Sequence, residues 1–449
     1  MNKSILALAL GLCASVTFIA CGAPTPANSG PGLTERVLVS QGVTTAATVG
    51  GLVTLNGAFD TLTAVPKITP PTSPALMAIT PSRGLVAAFD ASSNTVYGLT
   101  TATKETTLGS VKLQGPTLSM VLPTTLPVGY AAVPSATVPG FAFSGAVDIM
   151  NFSSSTLTTI ALPNAQWVVS NSTASQLLAF SNGSDAITVL APSNVSPPVD
   201  TSCLTNAPTG VCTIIEDPRL SRPVNAIING TTAYVLNCGF QCGGTQQASV
   251  AVFDLATLTI TGTIPVNGAT DAWLNGSNLY VVGTGTSTGP LCSSLTNPIN
   301  PKTAATYCGT LDIVDVTTRT DPYYNNPAKE IAIPDGYHDR MDFTSNGQLF
   351  IGSFGCTNVG NINNPVGEVR GCLAIYNTVT NALVIPPDNG DVGGFQGFTT
   401  RYREYVAEGG NLRVYDTTQD ILFINPQYLP TGSIDVIGFV GDVKAIDIF

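Results

Sequence analysis

The chain of 449 residues is long enough for several small domains or for one large closed β architecture. Only 10% of its residues are charged, against roughly 25% in an ordinary globular protein, and Thr, Ser, Asn and Gly carry the polarity instead. A net charge of −11 without a basic patch argues against nucleic acid as a partner, and 44 Gly with 32 Pro leave little room for long helices.

The first predicted element is a targeting segment. Met1-Asn2-Lys3 carries one positive charge, and Ile5 to Ala20 is apolar but too short for a convincing bilayer span. Residues 1–20 therefore read as a signal peptide. The segment ends Thr17-Phe18-Ile19-Ala20-Cys21, which resembles the lipobox of bacterial lipoproteins, with a small residue directly before a cysteine. Phe18 departs from the Leu usual at that place. The resemblance implies that Cys21 is acylated on its sulfur, palmitate being one such group, and becomes the first residue of the mature protein. It implies a lipid-anchored protein of the bacterial cell envelope. Gly22 is compatible with outer-membrane sorting, and the membrane side stays open. An ordinary secretory signal with an incidental cysteine is the alternative. Residues 21–34, rich in Gly, Pro, Ala and Ser, suit a flexible tether. No later stretch is long and apolar enough to span a bilayer, so the lipid would be the only membrane contact.

From residue 35 to 449 one unit recurs. Its clearest copy is Ser249 to Val266, an alternating strand, a corner at Asp254-x-x-Thr257, and a second strand. In chain order the corner appears at Asn56, at Asn151 with Ser154, at Asp254, at Asp315 with Thr318, at Asn377 with Thr380, and at Asp416 with Thr418. Two weaker copies sit at Thr95 to Leu108 and at Ala186 to Asn194. Asp or Asn bonding its own backbone two residues on is turn chemistry, and the flanking period of two is strand chemistry. A short apolar run precedes each corner: Val37–Val39, Leu85–Phe89, Tyr130–Val133, Leu177–Phe180, Ala233–Leu236, Leu279–Val282, Leu349–Ile351 and Tyr405–Ala407. Four short strands per repeat, at periods of about 40 to 65 residues, define a β-propeller. The expectation is an all-β chain forming a single propeller of eight four-stranded blades, or seven if a weak N-terminal copy is misread. The first repeat lacks an innermost strand, and Val443 to Phe449 has no repeat after it. The C-terminal strand should therefore join the N-terminal blade and leave no open edge. The stretch Ser249 to Ala269 resembles the YVTN-type propeller repeat of bacterial surface and exported proteins, clearly over Val224 to Val384. That resemblance implies a fold rather than an activity.

Eight cysteines lie beyond Cys21, in near-neighbour pairs: Cys203 with Cys212, Cys238 with Cys242, Cys292 with Cys308, Cys356 with Cys372. Eight cysteines allow 105 pairings, and short-loop disulfides are the simplest. They agree with export. Metal binding would want CxxC pairs and histidines, and the chain has one His. The excursions Gly239–Ala248, Gly283–Gly309 and Gly352–Gly371 fall between the second and third strands of three successive blades. Pro192–Ser221 is placed before the next innermost strand. All four would then decorate one face, which would bind an envelope protein or a small ligand, or else be tolerated, disulfide-braced insertions.

Counting back four from the Asn of each Asn-Gly turn gives Asn225, Asp271 and Asp342, expected at the channel mouth beside His338, Asp339 and Arg340. Propeller hydrolases of the lactonase kind hold Ca²⁺ in the channel with such oxygens, and that similarity implies Ca²⁺ as the one cofactor to consider. Asp or Asn capping the start of a strand is the plainer explanation. No nucleophile elbow, phosphate loop or dinucleotide fingerprint is present. Trp167 and Trp273 read as core aromatics. The first reading of function is a binding or scaffolding module rather than an enzyme. The alternative is a channel-centred, Ca²⁺-dependent hydrolase or lyase.

Overall fold

The computed structural model describes residues 33–447 except 46, 64–66, 103, 125, 195–200, 204–209, 285–307, 327, 335–336, 356–368, 371, 389 and 427–428. The signal segment, Cys21, Cys292 and Cys356 lie outside the described residues. The chain forms eight sheets of four or more strands arranged as blades, with one further two-stranded ribbon. Blade 5 shows the plan: Pro223–Asn229, Thr232–Asn237, Ser249–Asp254 and Thr259–Pro265 pair in order, each antiparallel to the last. All eight apolar runs become the second strand of a blade.

Blade 1 takes its three outer strands from Glu35–Gly42, Gly51–Asn56 and Thr61–Leu62. Its innermost strand is Phe439–Asp447, paired antiparallel with Glu35–Gly42 from Glu35↔Asp447 to Gly42↔Phe439. The expected closure is thus present. That last strand is also tied to both neighbours. Asp442 Oδ2 accepts the Met77 N–H of blade 2 at 2.7 Å, and Asp447 accepts Arg83 of blade 2 and the Thr399 N–H of blade 8 at 2.5 and 2.6 Å. The innermost strands contact one another in sequence around the whole ring.

Alternation decides which interface each side chain fills. Val37 and Val39 pack toward blade 8, while Leu38 between them packs toward blade 2. The result is eight apolar clusters, one between each pair of adjacent blades. No blade has a core of its own, so each is stable only as part of the ring.

The corners explain their own recurrence. Asp254 Oδ1 accepts the N–H groups of Ala256 and Thr257 at 2.8 and 3.2 Å, and Leu258 then takes a positive φ of 55° to reverse the chain. Asp315, Asn377 and Asn151 do the same, with Arg319, Asn381 and Ser155 in the left-handed region. These are turns between third and fourth strands.

One expectation fails. The fourth strand of blade 4 is Cys212–Glu216, so the excursion after Leu190 lies between third and fourth strands rather than before the next innermost strand. In an antiparallel blade the first–second and third–fourth connections share one face, here the turn face. The second–third connections and the links to the next blade share the other, the loop-rich face. Gly239–Ala248 lies on the loop-rich face, and so do the described ends of Gly283–Gly309 and Gly352–Gly371, whose residues 285–307 and 356–368 lie outside the described residues; the described ends of the Cys203–Cys212 excursion belong to the turn face. The strand was missed because Cys212–Glu216 shows no apolar alternation, being mostly exposed.

Candidate functional site

The central channel is lined by the innermost strands of every blade and has a volume of ≈ 340 Å³. At its loop-rich mouth a cleft of ≈ 240 Å³ opens between blades 4, 5, 6 and 7. Asn225, Asp271, Asp339 and Arg340 line it together. Asp271 begins its strand, and Asn225 follows the irregularity at the start of Pro223–Asn229. Each accepts the N–H of the following residue, at 2.8 and 2.9 Å, and Asn225 Nδ2 donates to Asp271 Oδ1 at 3.0 Å. Asp442, within the innermost strand of blade 1, likewise accepts the N–H of the following residue at 2.7 Å, a place that counting from Asn-Gly turns could not find.

Burial pushes the Asp271 carboxyl up to about 7, and the nearby Asp339 carboxylate adds to the push. Arg340 and the hydrogen bonds from Ala272 and Asn225 work against it. Asp339 is held by the Phe354 N–H at 3.0 Å and lies 3.4 Å from Arg340. Arg340 in turn lies over the Phe354 ring, 5.3 Å from its centroid. The cleft thus offers a titratable acid, an ion pair and aromatic walls from Trp167, Tyr337 and Phe354.

Two expected members are elsewhere. His338 is buried below the mouth, with its Nδ1 3.2 Å from Ser353 Oγ and its carbonyl accepting from Thr270. Asp342 lies at the opposite mouth of the channel. The reason is hairpin length. In blade 6 Asn275 pairs with Asn278, so Asn-Gly begins the turn. In blade 7 Phe343 pairs with Leu349, so Asn346 sits at the apex of a longer turn. Counting back four therefore lands deeper in blade 7, and Arg340 takes the level that Asp271 takes in blade 6.

The mouth does not suit Ca²⁺. Arg340 and Lys444, the latter 2.8 Å from Asp442 Oδ1, put cations where a hard metal needs oxygens. Among the described residues no three His, Cys, Asp or Glu converge as ligands.

Two disulfides are present as paired by spacing, Cys203–Cys212 and Cys238–Cys242. Cys372 is disulfide-bonded as well. Cys242 lines the cleft, so one bridge braces its rim. Three aromatic side chains stand exposed on this face: Phe240 at 60%, Tyr337 at 45% and Phe354 at 49%. Both tryptophans are half-buried and pack against the inter-blade cores, as expected, and each also lines the channel, Trp167 at this mouth and Trp273 at the other. The cationic stretch Arg401–Tyr405 does not face the cleft. Arg401 clamps Asp60 and Arg403 pairs with Asp416.

No protein-family model matches the sequence, and no curated protein matches it. Solved structures do resemble it in shape. The dihydro-heme d1 dehydrogenase NirN, in complex with DHE, superposes with a TM-score of 0.57 at 10% identity, over 94% of this chain and 77% of that one. BamB from Moraxella catarrhalis gives 0.46 at 11% identity, over 84% and 89%. At such identities the likeness is one of fold: the chain is a β-propeller.

Proposed function

We propose that the protein is a lipid-anchored ring of the bacterial envelope that binds a protein or small ligand on its loop-rich face. The observation that carries this is the cleft between blades 4 and 7. It combines a disulfide-braced rim, the exposed Tyr337 and Phe354, and the Asp339–Arg340 pair on a rigid support. Exposed aromatics beside an arginine are the usual anchors of an interface, and a rigid ring lowers the cost of ordering them. Cys21 supplies the anchor through the tether of residues 21–34. The test uses a photo-reactive residue in place of Phe354, or of Phe59, which is exposed on the turn face. Adducts in envelope extracts from position 354 and not from 59 support the reading, and equal or absent adducts overturn it. The anchor is tested by Cys21→Ser, which should abolish palmitate incorporation and release the protein from membranes.

A second reading rests on Asp271. A carboxyl that titrates near 7 in a cleft is suited to general acid or base work in a hydrolase or lyase. Asp271→Asn separates the two readings: adduct formation survives it if the site only binds, and turnover of a bound ligand is lost if it catalyses.

A further inference from the structure

The turn-face mouth of the channel holds a larger cavity of ≈ 560 Å³, a size suited to a small molecule. One wall is Trp273. Its ring is stacked on Phe343, 6.4 Å between centroids and 12° between planes, and packs against the core between blades 6 and 7. The indole also borders the cavity, so it forms a stiff apolar plate there.

The floor is made of acceptors. Gln396 Oε1 is buried without a hydrogen-bond partner. Asp342 Oδ2 accepts a long bond from the Gly397 N–H, at 3.2 Å, and the Glu404 carboxyl hydrogen-bonds the same side chain. Behind Asp342 lies Glu404, fully buried, with no N–H donor reaching either oxygen. Burial, and then the neighbouring Asp342, push the Glu404 carboxyl well above its usual range. The one cation on the wall, Arg83, is taken up by Asp447 Oδ1 at 2.5 Å and the Ala445 carbonyl at 3.2 Å. An anion would therefore find no unspent positive charge. Buried acceptors left unmet or weakly met call for O–H or N–H donors, because such a group loses its hydration with nothing in return.

We propose that this cavity binds a neutral saccharide of two or three units. One pyranose lies flat on Trp273, and its hydroxyls donate to Asp342 and Gln396. A sugar ring has an apolar C–H face and a rim of hydroxyl donors, which matches a flat indole beside acceptors. The site is separate from the loop-rich cleft, and neither reading depends on the other.

The chain holds two tryptophans, so Trp167→Phe leaves Trp273 as the sole indole reporter. This variant, as the full ring, is titrated with maltose, cellobiose and diacetylchitobiose to about 10 mM, enough to approach saturation for a Kd of about 1 mM. The expected result is a saturable shift of emission with at least one sugar. Adding Asp342→Asn, or separately Gln396→Ala in case the first variant is unstable, should weaken it about tenfold, roughly one lost hydrogen bond. Adding Asp271→Asn, at the other mouth, should leave it unchanged. No shift with any of the three sugars overturns the proposal. So does a shift indifferent to both floor variants, or one produced by tetramethylammonium instead, which would make the plate a cation site.

Discussion

Blade 5 and blade 1 are the same four-stranded sheet reached by different routes. Blade 5 comes from one contiguous stretch, Pro223 to Pro265, closed by local hairpins. Blade 1 takes three strands from the start of the ring and its innermost strand from the end. Local pairing is assembled at little loop-closure cost, whereas blade 1 forms only when the whole ring is in place. Damage at the seam should therefore spread to every blade, and damage within the contiguous arc should stay local and show up in binding.

The largest effect should come from the seam itself. Deleting residues 439–449 removes Val443, Ala445 and Ile446, all fully buried, and both aspartates that tie blade 1 to its neighbours. Burial of Val443 and of Ile446 is worth about 1.5–3 kcal/mol each, and an open edge is left behind. The truncated chain should lose its cooperative thermal transition altogether. An unchanged melt would show that the closure contributes nothing.

Next in size is Asp60→Ala. Asp60, at the third–fourth turn of blade 1, is buried and receives both guanidinium nitrogens of Arg401 from blade 8, at 3.1 and 3.0 Å, and the Tyr405 hydroxyl. Removing it leaves Arg401 half-buried without its counter-charge, at a cost of about 3–5 kcal/mol. Urea unfolding should show the loss in one transition for the whole ring. A separate early transition confined to blades 8 and 1 would mean that the seam frays alone.

This seam was readable in outline and opaque in detail. The corners were legible because an Asx turn depends only on residues two and three apart, as at Asp254 and Asp315. The apolar runs were legible because both faces of each blade are buried. The Arg401–Asp60 clamp joins opposite ends of the chain, and no local pattern encodes it. At the channel the limit was register. Asn225 and Asp271 fell together because their hairpins match, and Asp342 fell away because blade 7 turns later. Glu404 carried no signal, since its depth depends on Gly397, opposite it in blade 8, and on Asp342 meeting it from blade 7.

Within the arc, Asp271→Asn should act through pH. The folded protein holds this carboxyl's proton up to about 7, against 3.8 for an ordinary aspartate, so the native state binds more protons than the unfolded chain between those values. Stability from this group is fully present below about pH 4 and falls as pH rises toward 7. After discounting for the solvent that reaches the cleft, the loss is about 2 kcal/mol. Asn keeps the shape and the acceptor for Asn225 and Ala272 but cannot ionise. The variant should match the parent near pH 4 and exceed it by about 2 kcal/mol near pH 8 in urea unfolding. A difference that does not change with pH would mean that Asp271 is not the buried acid described.

The smallest global effect should follow from Cys238→Ser with Cys242→Ser. The bridge closes a loop with a sequence separation of 4, and so short a loop constrains the unfolded chain by about 2 kcal/mol at most. It also lies at the rim of a blade whose four strands pair without it. Amide exchange should therefore quicken across residues 239–248 and stay unchanged in the strands of blade 5. The consequence should appear instead at the cleft, which Cys242 lines. If partner capture through position 354 falls while the melting temperature barely moves, the bridge shapes the binding face rather than the ring. If the ring loses stability with it, blade 5 depends on its loop after all, and the contrast with blade 1 narrows to the single strand that closes it.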